Sequence, residues 1–230
     1  MGEGRLGNGQ AEAVAGQPAE RTGPGGVPFG RRAGRLVIMS GLPGTGKSHL
    51  AQLAAERSGA IVLRSDALRK LLFPQPDYSA RESRTVYEAA YALIAYLVAE
   101  GYPVIFDATN LSAWTRARAA GIAARVGGAA LVVQTTAPEE VVRERLTARG
   151  RPGVETFLSD AGWEVYTNMR GRLEPVTPDA PDALLVDTSD PAAVAAAVER
   201  MVAFLSEAPL ARRLTQPQPV AVQTTTPAAT

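Results

Sequence analysis

The sequence predicts an α/β fold, a five-stranded parallel sheet with helices on both faces. Three observations predict it. Short apolar, β-branched runs recur at RLVIMS (35–40), AIVLR (60–64), YPVIFD (102–107), ALVVQT (130–135) and ALLVD (183–187). Helical stretches separate them, the alternation that builds parallel sheets through crossover connections. A glycine-rich turn, GLPGTGKS (41–48), follows the first run and leads into HLAQLAAERSG, which reads as a helix.

The elements follow in order. Residues 1–33 are rich in Gly, Ala, Arg and Pro without periodicity and read as a disordered tail. The domain is expected over residues 34–206. After AIVLR, the segment SDALRK (65–70) opens a short helix. Ser79 with Glu82 makes a capping-box pattern before a long helix over 80–100. Ser112 is placed to cap the helix beginning AWTRARAA. Pro138 starts PEEVVRERLTAR, and Asp190-Pro191 starts the last helix. Residues 207–230, ending TQPQPVAVQTTTPAAT, again read as a disordered tail.

Composition excludes several classes. With 230 residues and 46% hydrophobic content, the chain can bury one full core. A net charge of +1 argues against coating long nucleic acid by bulk electrostatics. The chain has no cysteine, so there are no disulfides or thiolate metal sites, and its single histidine, His49, leaves no histidine cluster for zinc. No apolar stretch approaches the ~20 residues that span a bilayer, and the first residues carry no signal-peptide core. A cytoplasmic protein with no membrane partner is the expectation.

Chemistry is sought beyond the carboxyl ends of the strands, where such sheets bind ligands. The turn Gly41-Leu42-Pro43-Gly44-Thr45-Gly46-Lys47-Ser48 fits G-x-x-x-x-G-K-S, so a nucleoside triphosphate is the expected ligand. Its glycines are expected to clear side chains from backbone N–H groups that wrap a polyphosphate. Lys47, one of two lysines in the chain, reaches the β- and γ-phosphates, and Ser48 offers a hydroxyl to Mg²⁺. Asp107 closes VIFD at the usual place for the acid that orients Mg²⁺. It is followed by Ala-Thr-Asn rather than the water-activating Glu of mechanical ATPases. No N-K-x-D guanine motif is present, which argues against a GTPase switch.

Asp66, just past the second strand, is placed to accept the proton of an attacking hydroxyl, with Arg69 on the same helical face for a phosphate-bearing acceptor. The alternative is an acid that complements the helix dipole beside a solvated Arg. Arg143 has Glu139 and Glu140 as local partners. Arg145 and Arg149 have none nearby in sequence and stand one turn apart, suited to charge developing on a transferring phosphoryl group. Gly150–Gly153 then reads as a lid hinge. Thr109, Asn110 and Arg116 are candidates for an acceptor pocket, and Tyr78, Tyr87, Trp114 and Trp163 for stacking, each with ordinary packing as the alternative.

On SDALRK, VIFDATNL and RERLTARG with its downstream VYTNM, the chain resembles the small P-loop kinases. These include phage-type polynucleotide 5′-hydroxyl kinases, chloramphenicol phosphotransferase-like enzymes and zeta-toxin-like kinases. The resemblance covers about residues 35–190. It implies strand order 2-3-1-4-5, Asp66 as base, Arg69 on an acceptor phosphate, and Arg145 with Arg149 as lid arginines. It also implies ATP and Mg²⁺, with the γ-phosphate passed to a hydroxyl. The polynucleotide 5′ end is the leading acceptor. A small-molecule hydroxyl (antibiotic, nucleoside or sugar) is the alternative, and a slow ATP-hydrolysing regulatory module is the reading from another class.

Overall fold

The computed structural model describes residues 33–148, 161–177 and 180–207. The two tails, apart from Ala33 and Glu207, lie outside the described residues. So do Arg149 and the expected hinge at 150–153.

Strands β1 (Arg35–Ser40), β2 (Ile61–Arg64), β3 (Val104–Asp107), β4 (Ala129–Thr136) and β5 (Ala183–Asp187) form one parallel sheet in the order β2-β3-β1-β4-β5. The helices are α1 (Lys47–Ser58), α2 (Ser65–Leu72), α3 (Ala80–Ala99), α4 (Ala113–Arg125), α5 (Glu139–Ala148), α6 (Trp163–Arg170) and α7 (Pro191–Ser206).

Alternation along β1 shows why the sheet is covered twice. Side chains of a strand point to opposite faces in turn. Val37 and Met39 pack with Leu50 and Ala51 of α1 and Val198 and Met201 of α7. Leu36 and Ile38 pack with Ile94 and Val98 of α3 and Ile122 of α4. Each such aliphatic side chain, fully buried, contributes about 1.5–3 kcal/mol, so a strand apolar on both faces can only be central.

The caps behave as the sequence predicts, with one difference. Ser112 Oγ accepts from Thr115 N at 3.2 Å, and Asp190 Oδ1 accepts from Ala192 N at 2.8 Å. Ser79 Oγ accepts from Glu82 N at 3.2 Å, but Glu82 does not return the bond. Ser79 N donates to Asp77 Oδ1 instead, and the Glu82 carboxylate turns inward to Arg69 and to Asp77 N. An internal cation outcompetes the exposed half of the capping box.

The strand registers bring the carboxyl ends to one edge: Arg64 beside Asp107, Ser40 beside Gln134, Thr136 beside Asp187. The phosphate loop, Asp66 and Asp107 follow or end strands at that edge. Among the described residues no helix is long and apolar enough to cross a membrane.

Candidate active site

Residues 41–46 bridge β1 and α1, and α1 begins at Lys47, so the N-terminus of the helix follows directly on the loop. Lys47 Nζ lies across the loop and donates to Leu42 O at 2.7 Å. Thr45 Oγ1 donates to the same carbonyl at 2.8 Å and sits 2.7 Å from Thr135 Oγ1 of β4, which braces the loop from below. Gly46 has φ 86°, and a Cβ there would meet Thr188 Oγ1 at 2.9 Å. Thr188 itself donates to Thr45 O at 3.0 Å, so the β5–α7 loop is bolted to the phosphate loop. Gly44 differs from expectation. Its missing Cβ makes room for Val142 and Leu146 of α5, not only for a phosphate. Leu42, Val142, Leu146 and Tyr166 form a small apolar cluster that seats α5 and α6 on the loop.

Beside the loop lies the acidic end of β3. Asp107 is buried and hydrogen-bonded to Ser48, with Lys47, Arg64 and Asp66 close enough to act on it electrostatically. Burial pushes its carboxyl pKa up, while the Ser48 hydrogen bond and the Lys47 and Arg64 charges pull it down and Asp66 adds to the rise. An acid whose folded pKa is raised binds more protons in the native state within the window between its unfolded and folded values. The nucleotide-free protein is therefore expected to lose stability as pH rises from about 4 through that window. Urea midpoints measured across pH should show that slope, and Asp107→Asn should flatten it.

Arg64, inside a run read only as a strand, is the main residue the sequence left unassigned. Its Nε lies 3.6 Å from Asp107 Oδ2, and its Nη2 donates to Gln52 Oε1 of α1 at 2.9 Å. Thr135 and Thr188 were equally unassigned, although each stands at a strand end where a ligand edge was expected.

The acceptor-side residues separate. Asp66, the second residue of α2, is half-buried and acts electrostatically on both Asp107 and Tyr87. Arg69 does not present a free guanidinium. It is buried in an ion pair with Glu82, donates to Ser83 Oγ at 3.3 Å and lies under the Tyr78 ring at 4.9 Å. Asn110 does not line a pocket. It is fully buried in the left-handed region at φ 41°, which Asn tolerates, and its Nδ2 donates to Met39 O at 2.8 Å. Arg116 is turned to the backbone, donating to Asn110 O at 3.1 Å and Leu111 O at 2.9 Å. The Thr109 carbonyl accepts from Gly41 N at 2.9 Å, and its side chain bonds Tyr87. These residues hold the β3–α4 loop against β1.

Arg145 has partners after all, distant in sequence. Nη1 donates to Thr188 Oγ1 at 2.8 Å, with Gly44 O at 3.4 Å, and Nη2 donates to Thr188 O at 2.9 Å. Arg143 pairs with Glu139 at 3.6 Å and lies over Trp163, which stacks on Tyr166. Trp114 is exposed under Arg118, and His49 is exposed on α1.

A family model described as "AAA domain" matches residues 36–176, from β1 to just beyond α6. The chain belongs to that AAA-domain family. The matched stretch contains the phosphate loop, Asp66, Asp107 and Arg145. The chain is 32% identical over 141 residues to the "UPF0200 protein" of Aeropyrum pernix, covering 56% of this chain and 70% of that one. It is 32% identical over 127 residues to an uncharacterized protein of Mycobacterium tuberculosis, covering 50% of this chain. That match spans about a quarter of the Mycobacterium protein's length (26%).

Solved structures share the fold of this AAA-domain chain. The gluconokinase of Sinorhizobium meliloti 1021 superposes with TM-score 0.53 at 22% identity, covering 77% of this chain and 94% of that one. The APS kinase of Mycobacterium tuberculosis in complex with AMPPNP and APS gives 0.54 at 23%, covering 75% and 98%. Kti12 of Chaetomium thermophilum in complex with ADP-AlF3 gives 0.58 at 19%, covering 74% and 98%. The architecture is that of the small P-loop kinases, with the 2-3-1-4-5 order that the resemblance implies.

Proposed function

We propose that this AAA-domain protein is an ATP- and Mg²⁺-dependent phosphotransferase with a hydroxyl acceptor. The observation that carries the reading is the juxtaposition of Asp66 with the Lys47–Ser48–Asp107 group across the sheet edge. A nucleotide-binding loop alone needs no second acid there. The sequence points the same way, since a mechanical ATPase would carry Glu after Asp107 where this chain has Ala108.

The donor set fits Mg²⁺. Ser48 and Asp107 offer a hydroxyl and a carboxylate already in hydrogen-bond contact, the hard oxygen donors that cation takes. Among the described residues no group of three or more His, Cys, Asp or Glu forms a cage, in keeping with an ion held largely by substrate phosphates and water. Held by Ser48 and Asp107, Mg²⁺ would supply positive charge to offset that of the phosphates. The chain's own residues do the rest. The N–H groups of 41–48 and Lys47 hold the phosphates. Asp66 takes the proton of the acceptor hydroxyl as its oxygen forms the new bond to the γ-phosphorus. The bond from that phosphorus to the β–γ bridging oxygen breaks, and ADP leaves. Arg145, fixed by Thr188 and the loop carbonyl of Gly44, supports charge on the donor side, with Arg149 its companion by resemblance.

The leading acceptor by resemblance is a polynucleotide 5′ hydroxyl. The Arg69–Glu82 pair favours a different acceptor, a small neutral hydroxyl compound. A cation already neutralised by a buried carboxylate offers little to an acceptor phosphate. The gluconokinase among the shared folds is named for a small hydroxyl compound, though an anionic one. Transfer of label from γ-labelled ATP to a panel separates them. Sugars, nucleosides and antibiotic hydroxyls are expected to take label at least about tenfold faster than 5′-hydroxyl oligonucleotides, the preference that about 1.4 kcal/mol of differential transition-state binding gives. Label on oligonucleotides alone restores the polynucleotide reading. Label passing only to water makes the protein a slow ATP-hydrolysing module.

A further inference from the structure

Arg64 has no place in the donor chemistry just described, yet its half-buried guanidinium brings Nε to 3.6 Å from Asp107 Oδ2. Three observations converge on it. Parallel pairing sets Arg64 of β2 directly beside Asp107 of β3, so the two side chains leave the sheet on one face. The guanidinium is anchored from the other side, since Gln52 Oε1 accepts from Nη2 at 2.9 Å. Gln52 stands one turn after Ser48 on α1, and its own Nε2 donates to Glu56 Oε1 at 2.9 Å, one turn further. Ser48, Gln52 and Glu56 thus form a ladder along α1 whose first rung bonds Asp107 and whose second bonds Arg64.

We propose that the charge of Arg64, held beside the metal-directed carboxylate, sets how much Mg²⁺ adds to nucleotide affinity. The inference rests on the Mg²⁺–ATP reading of the donor site. The anchored guanidinium stands beside the buried Asp107 carboxylate that also bonds Ser48, and its charge offsets part of the like charge of Asp66. The same fixed positive charge opposes a second cation at that carboxylate. Metal therefore contributes less to holding nucleotide here than it would without Arg64.

The test compares calorimetric affinities for AMPPNP in excess Mg²⁺ and in EDTA, in the full chain. The ratio of the two isolates the metal's contribution, because damage to the loop lowers both affinities together. Arg64→Met keeps the aliphatic stem and removes the charge. It is expected to raise the ratio at least about threefold, the order of one unit charge acting across several ångströms of partly buried space. Arg64→Lys keeps the charge and should hold the ratio within about twofold of the unmodified protein. Arg64→Gln carries the same expectation as Arg64→Met and serves where Met does not fold. An unchanged or lowered ratio in both charge-removing variants overturns the proposal. Asp107→Asn identifies a failure of the underlying reading: it should collapse the ratio, and a ratio unmoved by Asp107→Asn overturns the donor-site assignment itself.

Discussion

Asp66→Asn is expected to cut phosphoryl transfer by about 10²-fold or more while ATP affinity stays close to that of the unmodified protein. The amide is nearly isosteric with the carboxylate but cannot accept the acceptor's proton. The fold gives the change little else to act through. Asp66 is half-buried in the first turn of α2, where an acid adds only about 0.3–1 kcal/mol through the helix dipole. Its charge repels Asp107, so its loss leaves the donor carboxylate no harder to ionise. Nucleotide binding is therefore spared on electrostatic grounds as well as steric ones. Single-turnover transfer beside calorimetric ATP binding separates the two effects. Transfer at the unmodified rate removes Asp66 as the base. Loss of ATP binding in parallel with transfer assigns it to the donor loop instead.

The layout of the site was legible because strand ends are legible. Runs such as ALLVD and RLVIMS coincide with β5 and β1 to the residue, and the chemistry of a parallel sheet lies just past such runs. The destinations of long polar side chains were not legible. Helical sequence displays partners three and four residues away, which is how the Arg143–Glu139 pair was visible. Arg145 reaches Thr188, 43 residues on, and Asn110 reaches Met39, 71 residues back. Nothing local marks either contact. The same blindness made Arg69 look like a waiting ligand, when the residue that claims it was already in view as half of a capping box. Arg64 was hidden for the converse reason: an Arg ending an apolar strand reads as an edge cation until the neighbouring strand's register places Asp107 beside it.

Glu82→Ala is expected to cost about 3–5 kcal/mol of stability, a large share of the roughly 5–15 kcal/mol that holds a domain of this size. Glu82 and Arg69 are both buried, and one carboxylate serves two donors. Oε1 accepts from the guanidinium, and Oε2 accepts from Asp77 N at 2.8 Å. Truncation leaves a desolvated cation, which is more expensive than the bond it loses, and removes the acceptor of the Asp77 N–H in the exposed α2–α3 connection. The exposed pair Arg118–Glu88 provides the internal comparison, with side chains 36% and 51% accessible at 2.8 Å. Glu88→Ala should cost at most about 1 kcal/mol. Urea unfolding followed by the fluorescence of Trp114 and Trp163 measures both. Removing the two charges together, as Arg69→Met with Glu82→Leu, should recover most of the loss, because the penalty lies in the unpaired charge rather than in the missing attraction. Equal costs for Glu82→Ala and Glu88→Ala would return Arg69 to the solvent-facing role its position in SDALRK suggests. With it would return the case for an acceptor that carries a phosphate, since the neutralised guanidinium is what argues against one.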